Sequence, residues 1–123
     1  MADFSDPRPW SPPETLRHLE ASGRASLISE LVSDFASDTR ARLARMRHAI
    51  AAADAALFRS EARGVEGNAA QMGGRQLAAL AKALELEGAS MPSWALREGV
   101  AEMEGELEAL CRDMRGYMTR RSG

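Results

Sequence analysis

The sequence is poor in residues on which several large classes of protein depend. Aromatic side chains make up only 5% of the 123 residues, and there is one cysteine, Cys111. A lone thiol excludes an internal disulfide framework and a multi-cysteine zinc site. β-Branched residues are scarce, which leaves little material for strands. Lysine is almost missing: of sixteen basic residues only Lys82 is not arginine. Eighteen acidic residues bring the formal net charge to −2, so there is no basic footprint for nucleic acid. No apolar run approaches the ~20 residues that span a bilayer. The opening MADFSDPRPW is acidic and lacks an apolar centre, unlike a signal peptide. The expectation from these absences is a cytoplasmic protein with no membrane or nucleic-acid partner.

What remains is 45% apolar and consists mostly of Leu, Ala, Met, Val and Ile, largely good helix formers. The length suits one compact domain. Residues 1–10 read as a flexible lead-in, 11–118 as the folded domain and 119–123 as a frayed tail. Ser11, Pro12 and Glu14 resemble a capping box with Pro at the first helical position, predicting a short helix that ends near Gly23.

A long stripe follows. Ile28, Val32, Phe35, Thr39, Leu43, Met46, Ile50 and Ala53 are spaced by threes and fours, which predicts a helix of about seven turns. Asp54 is placed to cap the next helix, whose stripe is Phe58, Ala62, Val65, Ala69 and Met72. This period runs through Gly64 and Gly67, so SEARGVEGNAAQMGG reads as helix up to the stop at Gly73-Gly74. A fourth helix carries Leu77, Leu80, Ala81 and Leu84 and stops at Gly88. The last carries Leu96, Val100, Met103, Leu107, Leu110, Met114 and Tyr117. Short connections predict an all-α fold: an up-down antiparallel four-helix bundle with a short N-terminal helix across one end.

The third helix, which carries Phe58 to Met72, has an unusual outer face. With the core stripe at 0° and about 100° per residue, Ser60, Arg63, Gly64, Gly67 and Ala70 fall opposite the core. That face is almost bare, and each interior glycine costs about 1 kcal/mol relative to alanine. A bare helix face suits close approach by a second protein. Arg63 and Glu66, three apart, are placed to pair with each other for about 0.2–0.5 kcal/mol.

The run Ala62-Arg63-Gly64-Val65-Glu66-Gly67-Asn68-Ala69-Ala70-Gln71-Met72-Gly73 resembles the hallmark segment of histidine-containing phosphotransfer (HPt) domains, A-H-x-L-K-G-x-x-x-x-[LM]-G. RQLAALAKALE and SELVSDFASDTRARLARMRHAIAAADAALFR are similar to flanking helices of that family, so the resemblance covers about Trp10 to Tyr117. It implies a cytoplasmic bundle of a bacterial two-component phosphorelay. The implied partner is a response-regulator receiver domain or a hybrid histidine kinase.

In that family a solvent-facing histidine carries a phosphoryl group, a basic residue one turn later steadies it, and a following glycine admits the receiver. Gly67 matches the glycine. Arg63 occupies the histidine position and Glu66 the basic one. A guanidinium has no lone pair with which to attack phosphorus, and a carboxylate repels a phosphoryl group. The resemblance therefore implies docking without phosphoryl transfer, and no catalytic residue is expected. The expected partner-binding residues are Ser60, Arg63, Gly64, Glu66, Gly67, Ala70 and Gln71. No metal or other cofactor is expected, and the chain is expected as a monomer or weak homodimer.

Two alternatives stay open: phosphoryl carriage through His48 or His18, and a structural or oligomerisation bundle. Glu98, Glu102, Glu104, Glu106 and Glu108 are expected on a solvated face of the last helix. No E-x-x-H motif for a dimetal bundle and no phosphate-cradling G-x-x-x-x-G-K-[ST] loop is present. Met46, Met72, Met103, Met114 and Cys111 are expected in the core.

Overall fold

The computed structural model describes residues 10–122. Residues 1–9 of the expected lead-in, and Gly123, lie outside the described residues. The order is α1 (Glu14–Ala21), α2 (Ala25–Ala51), α3 (Ala55–Gln71), α4 (Arg75–Glu87), a 3-10 turn (Gly88–Ser90) and α5 (Ser93–Ser122). The protein is all-helical among the described residues. α2 packs against α3 and α5, α4 packs against the same two helices, and α1 lies on α2.

The first three interhelical turns are built alike. Gly23, Ala53 and Gly73 have φ of +76°, +54° and +74°. The next N–H in each case reaches back five residues: Arg24 to Leu19, Asp54 to Ala49 and Gly74 to Ala69, at 2.8, 2.9 and 2.8 Å. This is the Schellman closure, which satisfies carbonyls that a helix end leaves without partners. Asp54 then starts α3, its Oδ1 accepting from the Leu57 N–H at 3.0 Å.

The start of α1 differs from expectation. Ser11 and Pro12 do not cap it; the N-cap is Pro13, extended at ψ 161°, and no side chain caps the helix. A residue before proline is kept out of the helical region, so Pro12 cannot open a helix ahead of Pro13. Trp10 belongs to the packed structure and not to a lead-in: its Nε1 donates to the Met72 carbonyl at 2.7 Å, and its ring meets Tyr117 edge-on at 5.8 Å. The Tyr117 hydroxyl in turn donates to Glu20 Oε2 at 2.6 Å, which ties α1 to α5. At the other end of the chain, α5 continues through 119–122, the residues expected to fray.

The core holds the expected stripes. Ile28, Val32, Phe35, Thr39, Leu43 and Met46 are buried on α2, and Val100, Met103, Leu107, Leu110, Met114 and Tyr117 on α5. Ala53 is exposed in the turn, and Ala49 takes the last buried position of α2. Ala62, Ala69 and Ala81 are fully buried, which lets α3 and α4 approach closely. Met72 and Cys111 are also buried, and burial pushes the Cys111 thiol above its ordinary value. The α5 acids are not all free in solvent. Glu104 bonds Arg47 at 2.6 Å and Glu108 bonds Arg40 at 3.1 Å, lacing α5 to α2.

Candidate functional site

The residues that the resemblance singles out all lie on α3, and the glycine-bearing segment is continuous helix. α3 runs beside both α2 and α4, so only a strip of it reaches solvent. Ser60, Arg63, Gly67, Ala70 and Gln71 are exposed. A Cβ built on Gly67 meets nothing within 4 Å, so the surface there is open.

Gly64 is different. It is half-buried, and a Cβ on it would run into the Arg42 guanidinium. Its place in the bare face is corrected: the glycine is covered by α2. Arg42 is laid across it by two carboxylates, Asp38 at 3.0 Å and Glu61 at 3.0 Å.

The expected Arg63–Glu66 pair does not form either. Arg63 Nε donates to Glu85 Oε2 at 2.9 Å, and Glu66 Oε2 lies 3.7 Å from Lys82 Nζ. Both partners are on α4, whose charges lie alongside α3. The Arg63–Glu85 pair is lopsided: the Glu85 side chain is 12% exposed and that of Arg63 is 73% exposed. The carboxylate is an anchor set into the groove, and the guanidinium stands at the surface. Its Nη donors have no partner among the described residues, so they remain able to bind a carboxylate or phosphate.

A second polar cluster lies between α2 and α3. Glu61 is buried and receives Arg42 Nη1 at 3.0 Å and Arg45 Nε at 2.9 Å. Asn68 donates to Asp38 Oδ2 at 2.6 Å and to Thr39 Oγ1 at 3.3 Å. The Asn68 donor, followed by the Arg42 donor, holds the Asp38 carboxyl below its ordinary value. Asp38 and Glu61 likewise raise Arg42 above its own. Sequence reasoning missed Glu61 and Glu85. A signal for Glu61 was present: it lies three residues after Phe58 and four before Val65, at core spacing. Nothing in the periodicity of α3 pointed to Glu85.

His48 and His18 are exposed, each in the last turn of its helix, and neither imidazole has a partner among the described residues. Among the described residues no three His, Cys, Asp or Glu side chains are grouped to hold a metal ion, and no helix is long and apolar enough to cross a membrane. Compared with known proteins, the chain matches no family model, no curated protein and no solved structure.

Proposed function

We propose that this protein is an HPt-like four-helix bundle of up-down topology that docks a response-regulator receiver domain without carrying phosphate itself. It acts in the cytoplasm as a monomer or weak homodimer. The observation that carries the reading is Arg63: a largely exposed guanidinium, anchored through Nε on Glu85, one turn before the open surface of Gly67. Receiver active sites are acidic clusters. A fixed cation presented on a smooth helix face fits such a cluster by charge, and blocks or sequesters the regulator. A guanidinium cannot become a phosphoryl carrier, and Glu66 beside it disfavours one.

The test is calorimetric titration of the protein with receiver domains from the same cell, with Arg63→Ala beside the native chain. Loss of binding in the variant supports the role, and unchanged binding ends it. Incubation with a phosphorylated receiver separates the main rival, since acid-labile phosphate on His48 or His18 would mean active transfer. If Arg63→His, alone or with Glu66→Lys, gains transfer, the docking scaffold is intact. A chain that binds no receiver and pairs with its own copy through this face is a structural bundle.

A further inference from the structure

We propose that the cleft beside the α2–α3 turn binds a small organic carboxylate with a flat apolar body. The site lies apart from the docking face assigned to Arg63, although Glu85, which anchors Arg63, reaches its mouth. The cleft has a volume of about 270 Å³ and opens where that turn meets the α4–α5 connection. That is near the lower limit of the roughly 300–1,000 Å³ range of small-ligand pockets. The size suits one aromatic ring or a short branched chain, not a long acyl chain.

Its floor is apolar: Phe58 and Leu84 are buried, and Ile50, Met91 and Leu96 are half-buried around them. Gly88 forms part of the wall, and a Cβ there would come within 3.1 Å of the Phe58 ring and crowd the floor.

The charge at the mouth decides the ligand class. Asp54, Arg59 and Glu85 all line it. Glu85 and Asp54 each have a partner within the fold, although only Glu85 meets an opposite charge. Glu85 is bound by Arg63, and Asp54 accepts the Leu57 N–H at the start of α3. Arg59 has no ion pair or hydrogen bond among the described residues and is exposed at the rim. Arg59 is therefore the one cation lining the cleft, and it is the one of the three with no hydrogen-bond or ion-pair partner among the described residues. A carboxylate matches its paired donors, and the apolar body of the same molecule fills the space below. A neutral analogue loses the first contact, and an amine loses it and meets repulsion from Arg59, with Asp54 as its only attraction at the mouth.

The experiment titrates the full ¹⁵N-labelled chain with sodium 3-phenylpropionate, with 3-phenylpropanol and 3-phenylpropylamine as neutral and cationic counterparts. The expected result is saturable shifts of the Phe58, Leu84 and Ser93 amide signals, with the acid binding about tenfold tighter than the alcohol, as expected for one charge-assisted contact. Arg59→Gln, an exposed change that leaves the helix content intact by circular dichroism, is expected to erase that preference. Leu96→Trp, which fills the floor, is expected to abolish binding of all three compounds. Equal binding of acid and alcohol, preference for the amine, or an undiminished preference in Arg59→Gln overturns the proposal. Absence of saturable shifts at those amides overturns it as well.

Discussion

Arg63 on α3 and Glu85 on α4 are joined at 2.9 Å, with the anion set into the groove and the cation left at the surface. The pair orients a charge more than it holds two helices together. Exposed ion pairs are worth about 0–1 kcal/mol, because solvent screens them and both side chains lose freedom. Glu85→Gln is therefore expected to change the urea unfolding free energy by less than about 1 kcal/mol. In the proposed docking role the same substitution weakens receiver binding, because the remaining amide oxygen accepts from Arg63 but holds the guanidinium less firmly than a carboxylate. A large stability loss with unchanged binding would show that the pair serves the bundle and not a partner.

Glu61 presents the opposite case. It is buried, and both of its oxygens are used by Arg42 and Arg45. Its removal leaves Arg45 without its acceptor and Arg42 with Asp38 alone at the α2–α3 seam. Both arginines are partly exposed, at 30% and 46% of their side chains, so water recovers some of that loss. Glu61→Ala is expected to destabilise by about 1–2 kcal/mol in equilibrium urea unfolding. A double-mutant cycle with Arg42→Ala is expected to give a coupling energy above about 0.5 kcal/mol.

Periodicity identified the inward faces, since a stripe of threes and fours fixes one side of a helix whatever covers it. The stripe from Ile28 to Met46 on α2 and that from Val100 to Tyr117 on α5 follow from that alone, while the buried Ala36 lies beside the first. Periodicity carries no information about which neighbour lies against the flanks. Gly64 fell on the outer face by angle, yet α2 lays Arg42 across it. Glu66 was assigned to Arg63 by spacing along one helix, but each found a partner on α4. Long charged side chains choose partners by reach between helices, which one helix's sequence does not encode. The exposure of Ser60, Gly67 and Ala70 was legible because no neighbouring helix among the described residues covers them.

The two glycines of α3 give a paired prediction. At Gly67 a methyl group enters open space, so Gly67→Ala is expected to raise stability by about 0.5–1 kcal/mol through helix propensity. At Gly64 the same methyl collides with Arg42, which is held by Asp38 and Glu61. Gly64→Ala is expected to gain less than Gly67→Ala in thermal unfolding, because the Arg42 guanidinium must shift off its carboxylates. If the open strip is the docking face, Gly67→Ala also weakens the partner complex although the protein itself is more stable.

Three carboxyls held below their ordinary values contribute to stability on the acid side. Asp38 is held low first by the Asn68 donor and then by Arg42, Glu104 by Arg47 and Glu108 by Arg40. A lowered folded value means that the unfolded chain takes up these protons first. The contribution is then complete above the unfolded carboxyl range near pH 4 and is lost as pH falls through the lower folded values. Melting temperature is expected to hold between about pH 5 and 7, so far as these groups decide it, and to decline below about pH 4. Asn68→Ala removes the largest cause at Asp38, so that group's share of the decline becomes smaller and ends at higher pH, while its onset near pH 4 is unchanged. Added salt is expected to flatten the step, because all three pairs face water.

Ala53 occupies a position where the two matching turns use glycine. Its φ of +54° puts a Cβ in the left-handed region, where Gly23 and Gly73 bear none. The left-handed conformation costs a non-glycine residue about 1–2 kcal/mol. Glycine avoids that cost but gives the unfolded chain more freedom, worth about 0.4–1 kcal/mol in the other direction. The difference favours glycine, because the Asp54-to-Ala49 closure needs the positive φ whichever residue supplies it. Ala53→Gly is expected to stabilise the protein by up to about 1 kcal/mol. Ala53→Val, β-branched and exposed, is expected to destabilise it by at least as much, since no packing is available in return. Urea midpoints of the two variants moving in opposite directions at constant slope would establish that the turn, and not a side-chain contact, sets the effect.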